Sequence, residues 1–398
     1  MKITVHNRNQ IGGCVTEIES KNGTRILIDV GSNLPGRISP EVPVKTLTKD
    51  CAGVFITHYH GDHVGKFDEV DSSTPIYMGE IAHEIFLNLC EHLPDKDVDA
   101  VKGFITFQAR DKIIAGDMVI TPFRVDHSAY DSYMFLIKCD GKKILHTGDF
   151  RTHGWTGKGV EALLRTFVRK VDVLICEGTM LSRQGEELLT EFGLYEKAKE
   201  ILRENRNVFV LCSSTNIDTI ASFYKAAGEL KPKKLVVADK FMRLNMDIVT
   251  ASAKSSIYRF PYVKIFWNGR QDCINEMRSR GFCMFVRPWG DKFKSIMKEF
   301  PDSLLVYSLW KGYLEGETLN NDIFDFIPKD IQGNPVYKYL HTGGHASEEA
   351  ILSVCRITNP EIIIPIHSEN PGRFEELKEE NKGIIAGEIK RSKTVEIN

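Results

Sequence analysis

Residues 57–65 read THYHGDHVG and follow directly on the apolar run AGVFI. Four metal-competent side chains, His58, His60, Asp62 and His63, therefore crowd into six positions at the end of a strand-like segment. One loop cannot fill the coordination shells that these residues begin, so the fold must bring other strand ends to the same place. Two histidines one residue apart in extended chain point the same way, and Asp62 with His63 reach a second point nearby. The pattern suits two metal ions served by one loop. Imidazole and carboxylate together favour Zn²⁺, with Mn²⁺ or Fe as the alternative occupants. A polar surface loop with histidines placed by coincidence is the competing explanation, and the density of donors argues against it.

Three further donors stand at the ends of apolar runs. His127 follows TPFRVD, Asp149 follows ILHTG and His367 follows IIIPI. An aspartate between two ions can bridge them, and Asp149 is suited to that task. Asp29, in ILIDVG, also ends an apolar strand. Taken singly, a strand-end aspartate forms turns and a lone histidine satisfies a polar neighbour; it is their coincidence with the six-residue segment that points to metal.

The first 150 residues are strand-rich, with RILIDVG, GVFITH, MVITPFRV, YMFLIKC and KKILHTGD separated by turn residues. YMFLIKC and KKILHTG, joined by Asp-Gly, read as a hairpin. One helix, GEIAHEIFLNLCEHL, places Ile81, Ile85, Leu89 and Leu93 on one stripe, with Phe86 beside them. From about residue 160 helices alternate with buried strands: VEALLRTFVRK then VDVLICEG, ELLTEFGLYEKAKEILREN then VFVLCSS, NIDTIASFYKAAGEL then KLVVAD. That rhythm predicts a parallel sheet with crossover helices.

At 398 residues and 42% hydrophobic, the chain suits two domains, or one carrying a large insertion. The net charge of −2, from 52 basic and 54 acidic residues, excludes a global basic field for polyanions. The nine cysteines are scattered singly, without a CxxC pair, and read as reduced thiols. With no apolar leader or membrane-length run, a cytoplasmic chain without membrane partners is expected.

The motifs ILIDVG, THYHGDH, VDHS and HTGDF, in that order, resemble those of the metallo-β-lactamase fold. The resemblance implies an α/β architecture, an αβ/βα sandwich with two zinc ions at the strand ends. It assigns His58, His60 and His127 to one ion and Asp62, His63 and His367 to the other, with Asp149 bridging and Asp29 orienting the loop from behind. Glu177 in LICEGT, His345 in HTGGHAS and His367 in IIPIHSE are similar to the further motifs of the β-CASP nucleases. The implied organisation is a metallo-β-lactamase domain over residues 1–182 and 336–398, with a β-CASP domain inserted at 183–335. The segments SSTNIDT and HTGGHAS are similar to phosphate-handling segments of the ribonuclease J group, which implicates Ser213, Ser214, Asn216, Gly344 and Ser347 in phosphate binding. That group commonly has Ser where Gly343 stands here and continues into a further C-terminal domain, so dimerisation through such a module is not carried over; a homo-oligomer is neither required nor excluded.

The resemblance implies zinc-dependent hydrolysis of phosphodiester bonds in single-stranded RNA by metal-activated hydroxide, in exonuclease or endonuclease mode. Asp62 would take up a proton, His345 would protonate the leaving oxygen, and Glu177 would orient His345. Ordinary roles stand beside these: the Ser213–Asn216 turn suits a helix N-cap as well as an anion, and Ser347 suits a capping box with Glu348 or Glu349. The aromatic and basic runs YRFPYVKIFWNGR and LWKGYLEG are expected in packing more than in base stacking. Two other functions compete: a small-molecule metallohydrolase of the same fold, and a DNA-directed β-CASP nuclease.

Overall fold

In the strand Val173–Glu177 every residue is buried, and the two-residue period of a strand explains how. Val173 and Ile175 pack with Ile26, Ile28, Phe55, Phe135 and Ile364 between two sheets. Leu174 and Cys176 face the other way, onto Val160, Leu164, Ile351, Val354 and Phe374 from helical segments. A strand covered on both faces reads as one apolar run, which is why VDVLIC shows no polar alternation.

The computed structural model describes residues 1–34, 40, 42–183, 188–267 and 271–398. It divides into two compact units, Met1–Glu187 with Gly344–Asn398, and Leu188–Gly343. The first unit holds two seven-stranded sheets. One runs in the order Thr394–Glu396, Lys2–Val5, Thr16–Glu19, Arg25–Ile28, Gly53–Phe55, Ile76–Gly79, Ile105–Phe107. The other runs Glu388–Ile389, Ile362–Ile366, Val173–Glu177, Lys142–His146, Ser132–Cys139, Met118–Val125, Ile113–Ala115. The pairing of Lys2–Val5 with Thr394–Glu396 closes the first sheet with both ends of the sequence; these strands are too short to stand out from pattern alone.

The expected hairpin forms in antiparallel register from Lys142 opposite Cys139 to His146 opposite Phe135. Asp140 and Gly141 both take positive φ, 50° and 76°, as the tightest two-residue turn requires. The helix expected in this part of the chain, Glu80–His92, buries Ala82, Ile85, Phe86 and Cys90, whereas Leu93 is 38% exposed. The stripe through Ile81, Leu89 and Leu93 is thus corrected by about one residue, 100° around the helix. The inward line runs through Ala82, Phe86 and Cys90, with Ile81 and Leu89 at its margins.

The second unit is built on a six-stranded sheet in the order Lys264–Phe266, Leu235–Asp239, Phe282–Val286, Asn207–Leu211, Leu304–Tyr307, Lys338–Tyr339, parallel throughout. Because Lys338–Tyr339 pairs with Leu304–Tyr307, residues 336–343 group with this unit, which spans Leu188–Gly343. Helix Glu191–Glu204 precedes the first of these strands in sequence, and Ile217–Glu229, Lys240–Ser252, Gln271–Arg280 and Asp291–Lys298 lie between them. Lys240–Ser252 and Gln271–Arg280 were not among the helices read from the sequence. Tyr258 and Phe260 are buried as expected of packing aromatics, while Tyr262 is 83% exposed. Glu187 of ELLTEFG and residues 268–270 of the aromatic-basic run lie outside the described residues.

Candidate metal centre

Strands of both sheets in the first unit deliver the predicted donors from their C-terminal ends. Asp29 follows Arg25–Ile28, His58 and His60 follow Gly53–Phe55, His127 follows Met118–Val125, Asp149 follows Lys142–His146 and His367 follows Ile362–Ile366. His60 is extended (ψ 145°) and a single helical turn, Gly61–Val64, begins after it. The extended stretch sets His58 and His60 on one side, and the turn swings Asp62 and His63 to another.

Backbone hydrogen bonds hold this loop against its neighbours. Val30 N donates to His63 O at 2.8 Å, Ser32 N to Gly61 O at 2.9 Å and Cys14 N to Asp62 O at 2.9 Å. Tyr130 N donates to the Tyr59 hydroxyl at 2.7 Å, tying the loop to the His127 segment. Arg151 N donates to Asp126 O at 2.7 Å, and the buried Arg151 guanidinium lies 3.3 Å from the Asp126 carboxylate. His127 and Asp149 are thereby joined through the residues beside them.

The donors fall into clusters whose ligand atoms lie within 4.8 Å of one another: His58, His60 and His127; His58, His63 and Asp149; Asp149, Glu177, His345 and His367; and Cys14, His63 and His367. His58 Nε2 is 3.1 Å from His60 Nδ1, and His127 Nε2 is 3.3 Å from the same atom. Asp62 Oδ2 is 3.2 Å from His367 Nε2, and Asp149 Oδ2 is 3.2 Å from His63 Nε2. All seven donors expected from the sequence therefore gather at one place.

Asp29 sits behind them. Its carboxylate accepts from Thr57 N at 2.7 Å and lies 2.7 Å from His63 Nδ1, so the proton on that nitrogen is held and Nε2 is left for the site. Asp29 takes φ 63°, which an aspartate tolerates better than most residues. Thr179, which the sequence reading did not single out, does for His367 what Asp29 does for His63. Its hydroxyl lies 2.6 Å from Nδ1 and donates to the His367 carbonyl at 3.1 Å.

Burial holds His58 and His127 well below the ordinary imidazole value, with neighbouring imidazoles adding to the effect. Burial likewise brings His60 down to about 4. Neutral imidazoles are the form that binds metal. Burial also disfavours charge on His63 and His367, but Cys14 and the carboxylates of Asp149 and Asp62, joined at His63 by Asp29, raise both well above the ordinary value. Asp149 is buried too, yet His367, His63 and His345 hold its carboxyl far down. Three buried atoms at the centre, His63 Nε2, Asp149 Oδ1 and His345 Nδ1, have no hydrogen-bond partner. A buried polar atom without a partner is costly, and a cation coordinated between His63 and Asp149 would satisfy the first two. The donor set thus fits a metal site built from imidazole and carboxylate.

Glu177 is fully buried at the end of its strand. Its Oε1 accepts from Phe150 N at 3.0 Å and Ala346 N at 3.2 Å, the residues following Asp149 and His345. Its Oε2 lies 3.2 Å from His345 Nδ1. His345, 20% exposed, stacks on His367 with ring centres 5.2 Å apart. Gly344 accepts from His127 Nδ1 at 2.6 Å through its carbonyl, and a side chain there would strike Ser128 and His127 at 2.6 and 2.9 Å.

The expected phosphate residues already have structural employment. Ser347 caps the helix Glu348–Thr358, accepting from Ala350 N at 3.2 Å; the third helical residue is alanine, so no capping box forms. Glu348 pairs with Arg373 at 3.3 Å. In the second unit, Asn216 accepts from Thr219 N at 3.2 Å as the cap of Ile217–Glu229. Ser213 lies 3.0 Å from the Thr215 hydroxyl, and Ser214 accepts from Arg287 at 3.2 Å. Arg287 is paired twice with Asp239, at 3.0 and 2.6 Å, and lies over the rings of Phe241 and Trp289. Neither Arg287 nor Cys14 was legible as a functional residue; the only local sign at Cys14 is the Gly-Gly pair before it.

Residues 24–207 match the model of the beta-lactamase superfamily domain. The fold is the metallo-β-lactamase fold. A crystal structure of a protein of unknown function from Enterococcus faecalis V583 shares it, with a TM-score of 0.72 over 94% of this chain and 95% of that one at 20% identity. The chain is also similar to ribonuclease J of Mycoplasma pneumoniae, 24% identical over 79% of this chain and 57% of that protein. Ribonuclease J of Helicobacter pylori (strain ATCC 700392 / 26695) is 23% identical over 90% of this chain and 55% of its own length. This metallo-β-lactamase-fold chain thus spans little more than half the length of these curated relatives. Among the described residues, no helix is long and apolar enough to cross a membrane.

Proposed function

We propose that the chain is a metal-dependent nuclease of the β-CASP group, similar to ribonuclease J, which hydrolyses phosphodiester bonds of single-stranded RNA. The observation that carries this reading is the His345–Glu177 pair, 3.2 Å apart and 3.5 Å from the central Asp149 at its His345 end. A lactam or thioester needs no second acid beside a metal centre, whereas the departing sugar oxygen of a phosphodiester benefits from a proton donor. The similarity to ribonuclease J supports the same substrate.

His58, His60 and His127 would hold one zinc ion and Asp62, His63 and His367 the other, with Asp149 between. Bound there, such ions supply a water of lowered pKa and neutralise charge on the phosphate. Asp62 turns a carboxylate oxygen to the attacking water and accepts its proton. Glu177, its Oε2 3.2 Å from Nδ1, draws the imidazolium form of His345 toward it by charge, so that the exposed edge of the ring hands a proton to the leaving oxygen. His63 and His367 are kept in register by Asp29 and Thr179 on their far nitrogens.

The test uses the zinc-loaded chain with an internally labelled single-stranded RNA bearing a 5′ monophosphate, beside a 5′-hydroxyl RNA and the matching DNA. Cleavage lost in both Asp62→Ala and His345→Ala is the expected result, and the product ladder separates exonuclease from endonuclease action. Metal-loaded protein that leaves every RNA intact would sink the proposal. Cleavage of the DNA alone would replace RNA as the substrate.

A further inference from the structure

Of nine cysteines, Cys14 alone is not buried, and it lies against the metal centre. Its Sγ and one ring nitrogen each of His63 and His367 are within 4.8 Å of one another. In a tetrahedral zinc site a thiolate sulfur and an imidazole nitrogen stand about 3.6 Å apart, so a shift of about an ångström closes the set.

The backbone gives the thiol little freedom to be elsewhere. Cys14 N donates to Asp62 O, and Gly31 N donates to Cys14 O, each at 2.9 Å. Gly12 and Gly13 approach with φ 86° and 63°, the left-handed region that glycine enters without strain. A side chain on Gly12 would come within 3.3 Å of Asp62 Cβ. The glycine pair therefore lays Cys14 beside the loop that carries Asp62 and His63.

A second observation points to a ligand. His63 is almost fully buried, its Nδ1 is engaged by Asp29, and its Nε2 has no hydrogen-bond partner. His367 has Nδ1 engaged by Thr179. Both rings therefore keep Nε2 for the site, and that of His367 lies 3.2 Å from Asp62 Oδ2.

We propose that Cys14 is a thiolate ligand of the ion held by Asp62, His63 and His367. The sulfur–metal bond forms as the thiol gives its proton to solvent, and no oxidant or reductant takes part. The two sites then differ in kind: one has imidazole donors from His58, His60 and His127, and the other adds sulfur to carboxylate and imidazole. A sulfur donor favours zinc or cobalt over manganese or magnesium, so this site sets which metal the protein accepts.

The inference rests on the metal centre of the proposed function, and cobalt distinguishes the two failures. The full chain is stripped with chelator, reloaded with Co²⁺, and its absorption compared among wild type, Cys14→Ser and Cys14→Ala. The expected result is visible cobalt bands in all three proteins, with a sulfur-to-cobalt charge-transfer band in the near ultraviolet of wild type only. Bound cobalt without that band in wild type, or a band that survives Cys14→Ala, overturns the ligand assignment and leaves the metal centre standing. No cobalt uptake by the folded wild type overturns both.

Discussion

Replacing Glu177 tests how the centre is assembled. Its Oε1 is the acceptor for the N–H groups of both Phe150 and Ala346, and both residues are fully buried. Glu177→Ala strands these two donors, at about 1–3 kcal/mol each and about 2–6 kcal/mol together. Glu177→Gln keeps one carbonyl oxygen for them and loses the carboxylate oxygen that faces His345 and accepts the long, 3.4 Å bond from Thr179 N, a change of under about 2 kcal/mol. Urea unfolding followed by circular dichroism, at equal zinc, should therefore rank wild type, then Gln, then Ala, with the largest step at Ala. Cleavage of RNA should divide the variants differently. Gln preserves the loops but weakens the hold on His345, and loss of an acid contributes about 10²–10⁴ in rate, so Gln should be folded and slow. If Ala and Gln unfold within about 0.5 kcal/mol of each other, the size of an ordinary surface effect, the idea that Glu177 ties the Asp149 and His345 segments together is wrong.

Stripping the protein with chelator should lower its thermal midpoint, and zinc should restore it, because an ion at a thousand times its Kd stabilises the native state by about 4 kcal/mol; calorimetry in which zinc leaves the midpoint unmoved would contradict the donor set. In the second unit, Arg287 and Lys292 hold the Asp239 carboxyl below its usual range despite burial. A depressed folded value means that the stabilisation is present above the unfolded value of about 3.9 and is lost as pH falls through the folded one. Asp239→Asn should then cost about 3–5 kcal/mol near neutrality and flatten the acid limb of the stability curve, as urea titrations at several pH values would reveal. Gly141→Ala should cost about 1–2 kcal/mol with zinc content unchanged, because φ is 76° and nothing lies within 4 Å of the added carbon; stability equal to wild type would show that the hairpin turn relaxes.

Much of this was legible before any coordinates. A side chain's metal chemistry is a property of its type, so four donors in six positions announced a centre, and strand periodicity said that such donors stand at strand ends. Asp-Gly between two apolar runs named a hairpin, because few residues other than glycine, asparagine and aspartate adopt that turn. The alternation after residue 160 named a parallel sheet for a similar reason: parallel neighbours need a crossover between them. Weak local signals failed. The short strands Lys2–Val5 and Thr394–Glu396 are stabilised by each other across the length of the chain, and the inward face of Glu80–His92 was set by its packing.

What only the tertiary structure decided is who faces whom. Thr179 reaches His367 across 188 positions, Glu177 reaches Ala346 across 169, and Cys14 meets His63 and His367 from two other segments. Ser214 proved to be engaged by Arg287, 73 residues away. Local pattern arises from backbone geometry repeated every two or four residues, so it is written in neighbouring letters. Contacts between distant strand ends depend on sheet order and register, and these follow from packing the whole chain.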